Sequence, residues 1–296
     1  MKSSTKGVLF VMVSAVIFGL TPLFLKTAYE GGATPLSGAF YRFLLPILPQ
    51  YIYLKWRKIP LKITGKEFQS VVLLSVLGYG GTGVLLFLSY QFIPSGMCTT
   101  IHFVYPVLVI LGSKIFFKSK IHKLKYVCVF LSVMGIVLFY DGKGGSNFTG
   151  ILIALMSGVT YTFYTLFLSK GTLQNMDVQK LLFYLNVVAA AMLLAICTAT
   201  GEMTVELTWS AWISLILGSA LITFVAATGY QMGVKLIGPE STAILSTLEP
   251  ITSVIVGVVV YNEAFGIKTL AGCVLIIFAA IMVSTIREKG RHELGK

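Results

Sequence analysis

Glu249 stands deep in an apolar run and is followed directly by Pro250. An ionised side chain in the middle of a membrane helix costs about 2.5 to 3.5 kcal/mol or more, so it belongs against a wet cavity or the interior of a bundle. The chemistry open to it there is attraction of an ammonium group or uptake of a coupling proton. Proline lacks a backbone N–H, so the carbonyl of Ser246 is expected to be freed for an ion, a water or a substrate. Thr242, Ser246 and Glu249 follow the spacing i, i+4, i+7, which sets three polar groups on one helix face and predicts that this face lines a cavity.

A second apolar run repeats the arrangement with Cys98, His102 and Tyr105, and Pro106 is expected to free the carbonyl of His102. His102 can hydrogen-bond a substrate or relay a proton. The alternative is purely structural, with Glu249 satisfied by Ser or Thr hydroxyls and His102 by a tyrosine. Arg42, seven residues past Pro35, is expected to snorkel to the outer surface, with binding of a carboxylate as its second reading. Tyr79 and Tyr161, with Tyr90, Tyr164 and Tyr230, can wall a cavity and offer cation–π contacts, or else pack and anchor. Gly78, Gly80, Gly81 and Gly83 suit close helix approach or a hinge, and no GK[ST] follows to make a phosphate loop. The cysteines Cys98, Cys128, Cys197 and Cys273 lie in apolar segments without paired spacing, so they read as packing residues and no metal or cofactor is expected.

The elements that must hold these residues follow from composition. Of 296 residues, 56% are hydrophobic and 11% charged, with a mean hydropathy of +0.87. A soluble domain carries roughly 25% charged residues. Such a chain is solvated by lipid, at about 20 apolar residues per spanning helix. Apolar runs near 7–27, 35–54, 68–92, 95–117, 121–140, 148–169, 177–199, 210–234, 238–261 and 266–286 predict an all-α integral membrane protein of ten transmembrane helices. Short turns at Pro94-Ser95 and Gly238-Pro239 separate the third span from the fourth and the eighth from the ninth. With the amino terminus inside, nineteen of the 23 Lys and Arg fall in cytoplasmic segments and three outside, Arg42 being within a span. Positive segments stay inside, so both termini are expected in the cytoplasm. This also accounts for the net charge of +12 without a nucleic-acid partner.

The two halves resemble each other at a shift of about 140 to 144 residues. GVLFVMVSAVIF from Gly7 lies over GILIALMSGVTY from Gly150, setting Ser14 over Ser157, Tyr90-Gln91 over Tyr230-Gln231 and Pro106 over Pro250. Five spans per half make the second half enter from the opposite side, so the repeats are inverted. Transporters use such pairs to rock about a central site.

On HFVYPVLVILGSKIFF and STLEPITSVIVGVVVYNE the chain resembles the EamA branch of the drug/metabolite transporter superfamily, with two five-helix domains. The resemblance implies repeats at 1–143 and 144–290, a cytoplasmic tail at 291–296, and a secondary transporter in the bacterial cytoplasmic membrane, acting as an exporter of amino acids, related metabolites or drugs. In one departure, the second half keeps an acidic residue, Glu263, after its Pro-containing helix, whereas the first has Ser119 between Lys118 and Lys120. Expected partners are a small-molecule substrate, the bilayer and a coupling proton, in a monomer or homodimer. Two further readings are an uptake carrier for a cationic or zwitterionic nutrient and a membrane-embedded enzyme. The enzyme needs clustered nucleophiles or metal ligands, and neither HExxH nor GxSxG occurs.

Overall fold

The computed structural model describes residues 3–117, 123–139, 145–168, 173, 175–264 and 266–285. The residues joining the expected halves, together with Ser119 and the tail at 291–296, lie outside them. The described residues are helical and connected by turns, with no strand among them. The first half contains α1 (Ser3–Gly19), α2 (Thr21–Glu30), α3 (Pro35–Leu44), α4 (Ile47–Trp56), α5 (Gly65–Leu74), α6 (Gly80–Ser89), α7 (Ser95–His102), α8 (Tyr105–Phe117) and α9 (Lys123–Phe139). The second contains α10 (Gly145–Leu168), α11 (Val178–Thr200), α12 (Trp209–Ala220), α13 (Thr228–Leu245), α14 (Leu248–Tyr261) and α15 (Ile267–Thr285). π-helical turns at Ser75–Tyr79 and Leu221–Ala227 join α5 to α6 and α12 to α13.

Helix starts follow local chemistry. Thr34 and Ser37 form a reciprocal capping box with Pro35 at the first helical position of α3. Thr64 and Glu67 do the same for α5. Asp177 accepts from the amides of Gln179 and Lys180 to begin α11, which ends at Gly201 with φ 69°.

Six helical runs among the described residues, including Thr5–Glu30, Gly65–Ser89 and Trp209–Gly233, are long and apolar enough to cross a membrane. Several expected spans are broken rods. The first divides at Leu20, ahead of Pro22, the second at Leu45-Pro46, the fourth at Phe103-Val104 and the ninth at Ser246-Thr247. Pro106 and Pro250 therefore sit in the first turns of α8 and α14, where the missing N–H would have no intrahelical partner anyway. The turn expected at Pro94-Ser95 is present between α6 and α7. Helical backbone continues through Gly238-Pro239, yet a Cβ built on Gly233 would lie 3.4 Å from the Thr242 hydroxyl. Nine residues of straight helix would separate the two by about 13.5 Å. The chain therefore doubles back between them, about where the sequence predicts a turn.

Packing relates the halves by a two-fold pattern. The first span packs on the eighth through α1 and α13, and the sixth packs on the third through α10 and α6. The second pairs with the seventh (α3 with α11), the fourth with the ninth (α7 with α14) and the fifth with the tenth (α9 with α15). Exchanging the halves leaves this set of pairs unchanged. At Gly135 the last pair approaches so closely that a Cβ would lie 2.9 Å from the Gly272 carbonyl.

Candidate functional site

A cavity partly open to solvent, with about 770 Å³ of atom-free space counting that open part, lies between the halves. Phe18, Thr21, Arg42, Tyr79, Thr82, Tyr90 and His102 line it from the first half, and Tyr161, Tyr164, Tyr230, Gln231 and Glu249 from the second. Both π-helical turns contribute, through Tyr79 on one side and Ile222 and Ala227 on the other. A π turn displaces one backbone step, re-aims the side chains beyond it and often occurs at functional sites.

Glu249 occupies the first turn of α14. Its carboxylate lines the cavity without an ion pair or a hydrogen-bonded hydroxyl among the described residues, unlike the structural alternative read from sequence. Gly19 permits the first span to approach it, since a Cβ there would lie 2.6 Å from the Glu249 carbonyl.

His102 is buried at the end of α7, with Nδ1 2.9 Å from the Ser157 hydroxyl of α10. Its ring lies 5.3 Å from that of Tyr161 and 5.6 Å from that of Tyr105. Gly158 allows this contact, because a Cβ there would approach the His102 carbonyl to 3.0 Å. Tyr105 sits behind the cavity wall, edge-on to Tyr161 at 4.6 Å.

Arg42 departs from its first expectation. Only 8% exposed, it turns into the cavity and does not snorkel. Its guanidinium lies over Phe43 at 4.2 Å and beside Tyr79 at 5.2 Å, and two of its nitrogens donate to the Tyr79 hydroxyl at 3.4 Å. Those bonds are long for N–H···O. Its charge meets no carboxylate among the described residues. A planar fork with donors to spare suits bidentate capture of an anion.

The expected polar face of Thr242, Ser246 and Glu249 is corrected in two respects. Only Glu249 of the three lines the cavity. The Ser246 hydroxyl donates back to the Thr242 carbonyl at 2.8 Å, and the Ser246 carbonyl is not free, since it accepts from the Glu249 amide at 2.9 Å. The interruption at Ser246-Thr247 tightens the chain and rotates α14 relative to the preceding turn, so helical spacing no longer carries across it. Thr242 is fully buried against the Gly233 segment.

Sequence reasoning missed Thr21, Thr82 and Gln231 in the wall. Gln231 carried a signal, as part of the repeated Tyr-Gln pair. It donates to the Tyr164 hydroxyl at 3.2 Å. A buried chain of amides was also missed. Asn186 donates to Gln50 at 2.9 Å, Gln50 to Gln179 at 3.5 Å, and Gln179 to Thr228 at 2.6 Å. This polar seam joins α4, α11 and α13 beside the cavity.

The comparisons with known proteins agree with this architecture. An uncharacterized transporter of Haemophilus influenzae is 25% identical, with 98% of both chains covered. The uncharacterized transporter sll1319 of Synechocystis is 24% identical over 72% of this chain, which spans 65% of that relative's length. YvbV, an uncharacterized transporter of Bacillus subtilis, is 24% identical over 76% of this chain. A solved crystal structure shares the fold at a TM-score of 0.67 and 16% identity, covering 94% of this chain and 96% of that one. The model of the EamA-like transporter family matches twice, at residues 5–141 and 148–285, one match to each of the halves that pack around the cavity. With both halves matched, this multi-pass membrane protein belongs to the EamA-like transporter family.

Proposed function

We propose that the protein is a secondary active transporter that exports small polar metabolites, amino acids or related compounds, by alternating access across the bacterial cytoplasmic membrane. In this reading residues 1–143 and 144–290 cross the membrane five times each in opposite senses, and both termini are cytoplasmic. Family membership and transporter-named relatives point to transport and away from an enzyme.

One observation carries the substrate class. Arg42 of the first half and Glu249 of the second line the same cavity and are paired neither with each other nor with another charge among the described residues. Uncompensated charges of both signs in a membrane interior need a ligand or water. A zwitterion places its carboxylate on the Arg42 fork and its ammonium on Glu249, framed by tyrosine faces. In its absence Glu249 takes a proton, which makes proton exchange the coupling reaction of this scheme. The broken rods at Leu20, Leu45-Pro46, Phe103-Val104 and Ser246-Thr247 supply joints at the depth of the cavity.

Counterflow of labelled amino acids in proteoliposomes tests this. Saturable exchange that Glu249→Gln abolishes is the expected outcome. An absence of saturable flux for any amino acid, amine or sugar overturns it. Accumulation driven inward rather than outward by a proton gradient would make the protein an uptake carrier instead.

A further inference from the structure

Beyond the cavity, Lys26 of α2 forms an ion pair with Glu263, just past the end of α14, and it is the only ion pair among the described residues. The same carboxylate oxygen, Oε1, accepts from the backbone N–H and the hydroxyl of Ser95, at 3.0 and 2.9 Å. Ser95 is the first residue of α7. One oxygen thus ties together α2, α7 and the end of α14.

Local backbone chemistry aims it there. Asn262 ends α14 in the left-handed region at φ 50°, and the Glu263 amide folds back onto the Gly257 carbonyl at 2.9 Å. Gly257 leaves the room, since a Cβ there would collide with the Glu263 carboxylate. The Lys26 ammonium lies 4.8 Å from the centre of the Tyr261 ring. The Tyr261 hydroxyl in turn donates to the Leu23 carbonyl at 2.9 Å.

The cluster lies beyond the cavity lining, toward one end of the helices that carry it. Lys26 lies five residues past the cavity residue Thr21, Ser95 seven before His102, and Glu263 fourteen past Glu249. Helix α7 runs antiparallel to α14, as the pairs Thr99 with Ser253 and Ser95 with Glu263 show. All three displacements therefore lead the same way, to the end that the positive cytoplasmic segments place outside. Closer in, the Gly19 approach to Thr252 and the Glu249 carbonyl leaves no room for a Cβ and forms a pivot, with the break at Leu20 just beyond it. Swinging α2 away from α14 must break the ion pair. The other oxygen, Oε2, is buried without a hydrogen-bond partner among the described residues, so the contact is held tightly by one atom and incompletely by the other.

The opposite end differs in sequence. The shift that sets Pro106 over Pro250 sets Ser119 over Glu263, so no carboxylate is available at the matching position.

We propose that Lys26 and Glu263 are the lock of an outer gate, and that the lack of an acidic counterpart in the first half biases the resting transporter toward its outward-closed form. This rests on the alternating-access reading above. The test uses a background in which the four cysteines are replaced and Thr21→Cys reports on the cavity. A membrane-impermeant methanethiosulfonate is applied from outside to intact cells and, separately, to inside-out vesicles.

Lys26→Met and Glu263→Gln are expected to raise labelling from outside roughly tenfold and to slow it from inside, because the loss of a partly buried pair shifts the population between the two forms. Lys26→Arg, which keeps the pair, is expected to label at the parental rate. An unchanged outside rate in Lys26→Met overturns the lock, and so does faster labelling from both sides, which reports general loosening. Lys26 is one-fifth exposed, so its variant carries the test if Glu263→Gln does not fold. The readout is accessibility and not flux. Missing flux with normal labelling shifts would therefore count against the substrate reading alone, and normal flux with unshifted labelling against the lock alone.

Discussion

Arg42 and Glu249 line one cavity from different halves of the chain without forming an ion pair. Each charge is held in place by its own element, Arg42 by the rings of Phe43 and Tyr79 and Glu249 by the first turn of α14. In the proposed function a ligand carrying both complementary charges bridges them.

Glu249→Gln keeps the shape of the side chain and removes its charge. Loss of a charge-assisted hydrogen bond worth about 1.5 to 3 kcal/mol weakens binding roughly tenfold to hundredfold. Thermal-shift titration of purified protein with the transported compound measures this, and an unaltered affinity removes Glu249 from the site.

Arg42→Gln is expected to weaken an amino acid by a similar factor, while the corresponding amine, lacking the carboxylate, binds as before. Arg42→Lys does not restore the amino acid, because an ammonium lacks the planar fork. Parallel titrations with the two ligands check this, and equal losses for both would contradict the assignment.

Ser157→Ala takes away the hydroxyl that holds His102 Nδ1. The same hydroxyl donates to the Ala154 carbonyl at 2.6 Å, so a stability loss of about 1 to 3 kcal/mol is expected for two neutral hydrogen bonds, together with weaker ligand binding as the imidazole loses its fixed orientation. Unfolding in detergent with and without ligand separates the two effects.

Gly19→Ala places a Cβ 2.5 Å from that of Thr252 and 2.6 Å from the Glu249 carbonyl. Overpacking of this kind costs about 1 to 3 kcal/mol. Gly65→Ala is the control, with nothing within 4 Å of its added Cβ, and is expected to be neutral or slightly stabilising in a helical position. Equal unfolding temperatures for the two variants would refute the close approach.

By itself, the sequence determined what depends on composition and on order along the chain. Apolar runs long enough for lipid, cations confined to the segments between them and a repeat that sets Pro106 over Pro250 point to a helical membrane protein in two related halves. Glu249 and His102 were legible too, because an ionisable group in an apolar run carries its own cost and has few places to go.

Tertiary structure alone decided which side chains share a space. Thr242 and Ser246 look equivalent to Glu249 by helical spacing, but the chain breaks at Ser246-Thr247, and only Glu249 reaches the cavity. Arg42 reads as a snorkelling residue until its neighbours are known. It points inward because Phe43 and Tyr79 lie against its guanidinium. Lys26 and Glu263, 237 residues apart, show no sign of each other in sequence. The period of a helix is a local property, whereas the contacts of a cavity or a gate depend on breaks, π turns and close glycine approaches that set one rod against another.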